Sequence, residues 1–120
     1  MNYILVSIGG AIGSLLRYSI GQLNFENNNK NLYLTFSVNA IGSLFIGIIY
    51  SLFDKNSINY EVKLLLATGF CGGFTTFSTF SIENINLLKN GNILISVIYI
   101  FISLSSCLIF TYYGYKLFSK

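Results

Sequence analysis

The chain contains no histidine, only two cysteines and only four aspartates or glutamates, and charged residues make up 9% of it. Each shortage removes a class of function. Without histidine, the commonest general base and the commonest metal ligand are both missing. Cys71 and Cys107 lack the spacing of a metal-binding pair and read as small hydrophobes that pack. The few carboxylates form no pair of the kind that a hydrolytic cleft uses, so an enzyme is the least favoured reading. The seven Lys and Arg are scattered, giving a net charge of +3 without a patch that grips nucleic acid, which is excluded as a partner.

What the chain has instead is apolar length: 53% of its 120 residues are hydrophobic. That balance is far from the soluble one and marks a membrane protein. Four long apolar stretches stand out, Asn2 to Leu23, Leu32 to Phe53, Leu64 to about Leu87, and Ile93 to Tyr115. About 22 helical residues rising ~1.5 Å each cover ~33 Å, the thickness of a bilayer's hydrocarbon core. The polar links NFENNNKN, DKNSINYEVK and KNGN join them. The expected architecture is an all-α membrane protein with four transmembrane helices, residues 1–120 forming a single four-span domain. No Lys or Arg precedes the first stretch, and it is longer than the apolar region of a signal peptide, so it reads as retained.

With four spans, both termini and the second link share one side, which carries Lys55, Lys63, Lys116 and Lys120. Lys30, Lys89 and Arg17 fall toward the other, a bias of four against three. Orientation follows the Lys and Arg imbalance, and one this small allows insertion either way up, or a weak preference for one. Two copies in opposite orientation would form an inverted pair with a site at their interface.

Polar residues within the spans fall on helical faces. In the first span Gly9, Gly13, Arg17 and Gly21 are four residues apart on one ridge. The glycines read as close helix contacts. Arg17 either snorkels to the interface or draws anions to an opening. The second span repeats the spacing with Thr35, Asn39, Ser43 and Gly47. The Asn39 amide must face protein or water rather than lipid, as an interhelical bond or as part of a polar path. Ser96, Tyr99, Ser103 and Ser106 place hydroxyls on one stripe of the fourth span.

The third span carries the least ordinary stretch, GFCGGFTTFSTFS from Gly69 to Ser81. The pair Gly72 and Gly73 predicts a helix broken near its middle, with freed carbonyls suited to a small cation and a new helix start suited to anions. Thr75, Thr76, Ser78, Thr79 and Ser81 offer hydroxyl donors or caps. Phe77 and Phe80, three apart, either pack ordinarily or present their positive ring edges to a small anion.

GFCGGFTTFSTFSIE (69–83), GGAIGSLLRY (9–18) and NAIGSLFIG (39–47) resemble the signature segments of the Fluc (CrcB) fluoride channels, in order and over three of four spans, with the fourth agreeing through its hydroxyl stripe. The resemblance implies an antiparallel dual-topology homodimer in the bacterial plasma membrane, with two pores that passively export fluoride and exclude chloride. It implies that Phe77, Phe80 and Asn39 line the fluoride path. Ser78, Thr79, Tyr99 and Ser103 would join them there, with Arg17 drawing anions in. It further implies a structural sodium ion at the dimer interface, held by the backbone carbonyls of Gly72 and Thr75. Fluoride, lipid and a second copy of the chain are the implied partners. Glu83 closes the motif without an assigned role. Two rivals compete. A small dual-topology drug exporter would need a carboxylate inside the membrane, which the first span lacks. An accessory subunit would explain the glycine ridges but not the amide, hydroxyl and phenylalanine cluster.

Overall fold

The computed structural model describes residues 1–23 and 30–119. Residues 24–29 of the first link, the Lys30 side chain and Lys120 lie outside that description. The described chain is helical: α1 (Asn2–Gly21), α2 (Lys30–Asp54), a composite third span, and α6 (Ile93–Phe118). The third span consists of α3 (Tyr60–Lys63), a π-helical segment (Leu64–Cys71), the short α4 (Gly72–Phe74), two extended residues, and α5 (Phe77–Lys89). Four of these helical stretches are long and apolar enough to cross a membrane, with 20, 24, 30 and 26 residues. This is a multi-pass membrane protein.

Local chemistry sets the ends. The third span starts at Tyr60, earlier than its apolar run, because the Asn59 side chain accepts the Val62 N–H at 2.9 Å and caps the helix. The link to α6 is a tight helix stop. Gly91 takes φ +76°, while its N–H bonds to the Leu88 carbonyl at 3.1 Å and the Asn92 N–H to that of Leu87 at 2.9 Å. A side chain at Gly91 would strain that turn.

Packing joins the helices in two close pairs, α1 against the π-helical segment and α4, and α2 against α6. Small residues make both possible. A Cβ at Gly9 would overlap the Leu65 carbonyl, and one at Gly13 the Phe70 carbonyl. In the second pair Gly47 lies against the Thr111 carbonyl and Gly114 against that of Leu44. The ridge read from the first span is therefore a packing surface at Gly9 and Gly13. Gly21 takes no part, since nothing lies within 4 Å of its Cβ position.

Large apolar side chains face outward, as expected where lipid is the solvent, and the interior holds Thr35, Ser51, Glu83, Asn84, Ser96 and Ser103. Ser96 donates to Asn84 Oδ1 at 2.9 Å, and Asn84 Nδ2 to the Phe80 carbonyl at 2.8 Å, fastening α5 to α6.

The third helix is interrupted near its middle, but three residues beyond the position that the glycine pair predicts. Gly72 is helical at φ −62° and ψ −37°. The extended residues are Thr75 (φ −79°, ψ 158°) and Thr76 (φ −151°, ψ 113°). β-Branched side chains favour that extended region. Gly73 serves contact instead, because a Cβ there would overlap the Gly10 carbonyl of α1.

Candidate functional site

A helix break leaves backbone groups without their usual partners, and in a membrane each must find another. Here side chains supply them. Thr76 is the residue around which the exchange turns. Its N–H donates to Asn39 Oδ1 at 2.8 Å, and its carbonyl accepts from Asn39 Nδ2 at 3.1 Å. One amide side chain from α2 thus satisfies both backbone groups of Thr76, one in each of the peptide units that flank its Cα. The Thr76 hydroxyl accepts the Thr79 N–H at 3.1 Å and caps α5, while donating to the Thr79 hydroxyl at 3.0 Å. The Gly73 carbonyl accepts from Arg17 Nε at 3.1 Å and from the Ser14 hydroxyl at 3.4 Å. The cation of Arg17 sits where the first half-helix ends, the pole that favours positive charge.

Two carbonyls lose their ordinary donors in this exchange. In a continuous helix the Thr76 N–H would bond to Gly72 and the Thr79 N–H to Thr75. Both are diverted, to Asn39 Oδ1 and to the Thr76 hydroxyl.

The break separates two cavities, and Thr76 lines both. The first, of about 380 Å³, is bounded by Asn39, Gly72, Thr75, Phe77, Phe80 and Ser103 among others, none of them charged. Ser103 is 5% exposed, and its hydroxyl oxygen has no hydrogen-bond partner among the described residues. The second cavity, of about 490 Å³, gathers Arg17, Thr35, Thr79, Glu83 and Asn86.

Aromatic rings continue from the break toward α6. Phe77 and Phe80 lie with centroids 5.4 Å apart at 43°, and Phe80 and Tyr99 5.1 Å apart at 51°. These tilted pairs are the arrangement that ring quadrupoles prefer. Phe77 projects outward at 70% exposure, whereas Phe80 is 6% exposed. At the far end, the Tyr99 hydroxyl donates to Glu83 Oε2 at 2.8 Å and the Thr35 hydroxyl to Oε1 at 2.7 Å. Three spans therefore meet at one buried carboxylate.

Of the residues singled out in the sequence, Asn39, Gly72, Thr75, Phe77, Phe80 and Ser103 meet at the first cavity. Arg17 and Thr79 lie at the second. Tyr99 lines neither cavity and lies against Phe80 and Glu83. Ser78 stands apart at the exposed start of α5, near the Thr76 hydroxyl at 3.2 Å. The sequence reading left Glu83 and its donors Thr35 and Tyr99 unconnected. A signal was present, since Thr35 and Asn39 lie one turn apart on α2, as do Thr79 and Glu83 on α5. Both rows face the break.

Comparison with known proteins places the chain in a family. Residues 4–115 match the family described as CrcB-like protein, Camphor Resistance (CrcB). The chain belongs to the CrcB family. A relative from Gloeothece citriformis, named Fluoride-specific ion channel FluC, is 51% identical over 105 residues, covering 87% of this chain and 85% of the relative. Proteins of the same name from Thermus thermophilus and Shewanella sp. are 41% identical over 116 residues and 39% over 117. These alignments cover 96% and 97% of this CrcB chain, and 93% and 94% of the relatives.

Proposed function

We propose that this CrcB-family chain is a fluoride-selective channel that lets the anion leave the cell passively. The observation that carries the reading is the uncharged cavity at the break, where the Asn39 amide, the Phe77 and Phe80 rings and the unpaired Ser103 hydroxyl come together. The name shared by the relatives supports it. Fluoride is small and strongly hydrated, so a path must replace its water with close donors. Asn39 keeps one amide N–H beyond the bond to Thr76, Ser103 keeps its hydroxyl proton, and ring edges carry partial positive charge. The start of α5 adds the positive pole of a 13-residue helix. Chloride is larger and fits so narrow a row poorly. An inside-negative potential drives the anion outward by about 2.3 kcal/mol per charge per 100 mV.

The working unit is an antiparallel homodimer with two pores. Phe77, on the wall of the first cavity and 70% exposed, needs a cover that lipid or a second copy provides. A second copy also suits a structural sodium ion. The Gly72 and Thr75 carbonyls, whose helical donors are diverted, are the kind of oxygen ligand that a hard cation takes. Two carbonyls are too few for a cation, and an inverted partner would double them. Its chemical contribution would be to neutralise carbonyl dipoles where two breaks meet. Asn39 holds the Thr75 peptide unit through the Thr76 N–H, and Arg17 holds the Gly73 carbonyl next to the Gly72 peptide unit, both from within each chain.

Purified protein in liposomes loaded with potassium fluoride tests the reading, with efflux followed by a fluoride electrode after valinomycin is added. Fast loss of fluoride with chloride retained in parallel vesicles is the expected result. Vesicles that contain folded protein and keep their fluoride would overturn it.

A further inference from the structure

Cysteine 107 was read from the sequence as a packing residue, and its surroundings argue otherwise. Tyr99, Ser103 and Cys107 follow one another at steps of four on α6, so they form one row along the helix. Ser103 and Cys107 both line the first cavity, whereas Ser106, the fourth member of the stripe expected from sequence, does not. Cys71 lines the same cavity but is 2% exposed, whereas Cys107 is half-buried. An independent observation marks the row as a place where something binds. The neighbouring Ser103 hydroxyl is buried in the cavity wall with no protein partner among the described residues. A buried polar atom left so costs free energy unless a ligand or water meets it.

We propose that Cys107 is a rung of the ion path and makes it a site for soft, thiol-seeking monovalent cations such as Ag⁺. The proposal rests on the channel reading and adds a mode of inhibition to it. No charged side chain lines the cavity, so a small cation is not repelled from it. Thiolate sulfur is the ligand that soft metals select. The step is a substitution: the S–H bond breaks, an S–Ag bond forms, the proton passes to buffer, and no electrons change hands. A cation fixed one turn from Ser103 fills the row and holds the anion that follows, so transport stops.

The test uses the same fluoride efflux assay in chloride-free solution, where silver fluoride stays dissolved. Each sample's efflux before silver reports the channel reading. Its change on adding Ag⁺ reports this one, each variant being compared with its own untreated rate. Efflux of the native protein should slow about tenfold or more and recover with excess dithiothreitol, and Cys71→Ala should behave alike. Cys107→Ser should lose the response. Unslowed native efflux, or a block that persists in Cys107→Ser or disappears in Cys71→Ala, would overturn the assignment. Peptide mapping of the native protein after N-ethylmaleimide treatment gives an answer without any variant. Labelling of Cys107 that Ag⁺ prevents is expected, and labelling of Cys71 alone or of neither cysteine would sink the proposal.

Discussion

Replacing Asn39 by Asp changes one heavy atom and separates the roles that the amide combines. The native side chain accepts from the Thr76 N–H at 2.8 Å and donates to the Thr76 carbonyl at 3.1 Å. An aspartate keeps the acceptor but turns a second oxygen toward the Thr76 carbonyl. One hydrogen bond is lost and a half-buried carbonyl goes unmatched, which together destabilise the break by about 2 to 4 kcal/mol. The carboxylate also faces the cavity. A like charge about 4 Å from a passing anion raises its energy by about 4 kcal/mol at an effective dielectric constant of about 20. At about 1.4 kcal/mol per tenfold, that alone slows fluoride by up to about three decades.

Efflux from vesicles containing Asn39→Asp should therefore fall at least about tenfold, and further than in Asn39→Ala, which loses both bonds but adds no charge. Size-exclusion chromatography and thermal melting establish that each variant is folded. A folded Asn39→Asp protein with native efflux would refute both the brace and the path. Equal losses in the two variants would remove Asn39 from the path and leave it as a brace.

Phe77→Ile should slow efflux without altering the elution volume, since Phe77 is 70% exposed and its ring supports little of the subunit; native efflux would dispose of the ring-edge argument. Thr76→Val keeps the shape and deletes the hydroxyl that caps α5, costing about 1 kcal/mol, seen as a lower melting temperature. Thr76→Ser should restore it, and a Val variant as stable as the native protein would show that the cap contributes nothing. Gly13→Leu should prevent folding, because the backbone of Phe70 and Phe74 occupies the space that a side chain needs. A monodisperse Gly13→Leu protein with native efflux would contradict the tight pairing of α1 with the third span.

How much of this could be read from the sequence depended on whether the helix involved was regular. Gly9 and Gly13 were legible because α1 is an unbroken α-helix, so residues four apart share a ridge and the ridge meets backbone. The same rule held on α6 for Ser96, Tyr99 and Ser103, which are buried. Steps of four from Tyr99 lead through Ser103 to Cys107, which was read as a packing residue and lines the first cavity. Within the third span the break was legible as an event but not as a position. Glycine has two uses, unusual backbone angles and close approach, and sequence does not distinguish them. Gly73 has the second use, against Gly10. Glu83 was missed for another reason, although its place one turn from Thr79 was visible. Its donors come from α2 and α6, and the π-helical stretch before the break shifts the register of everything after it relative to α1.

That the break is held by side chains rather than permitted by glycines bears on what kind of device it is. A glycine hinge would be free to open and close. Here the N–H and carbonyl of Thr76 are paired with an amide from α2, and the Gly73 carbonyl is bonded by Arg17 and Ser14 of α1. Thr76 in turn caps the helix that follows. Moving the break requires three helices to give up bonds together, at about 1 kcal/mol or more each. Such a frame favours fixed ion sites over a moving gate. Replacing the water around a small, strongly hydrated anion demands donors that are already in position. In the proposed channel, where a site free to relax would accept larger anions, the rigidity that Thr76 and its partners impose would supply the selectivity.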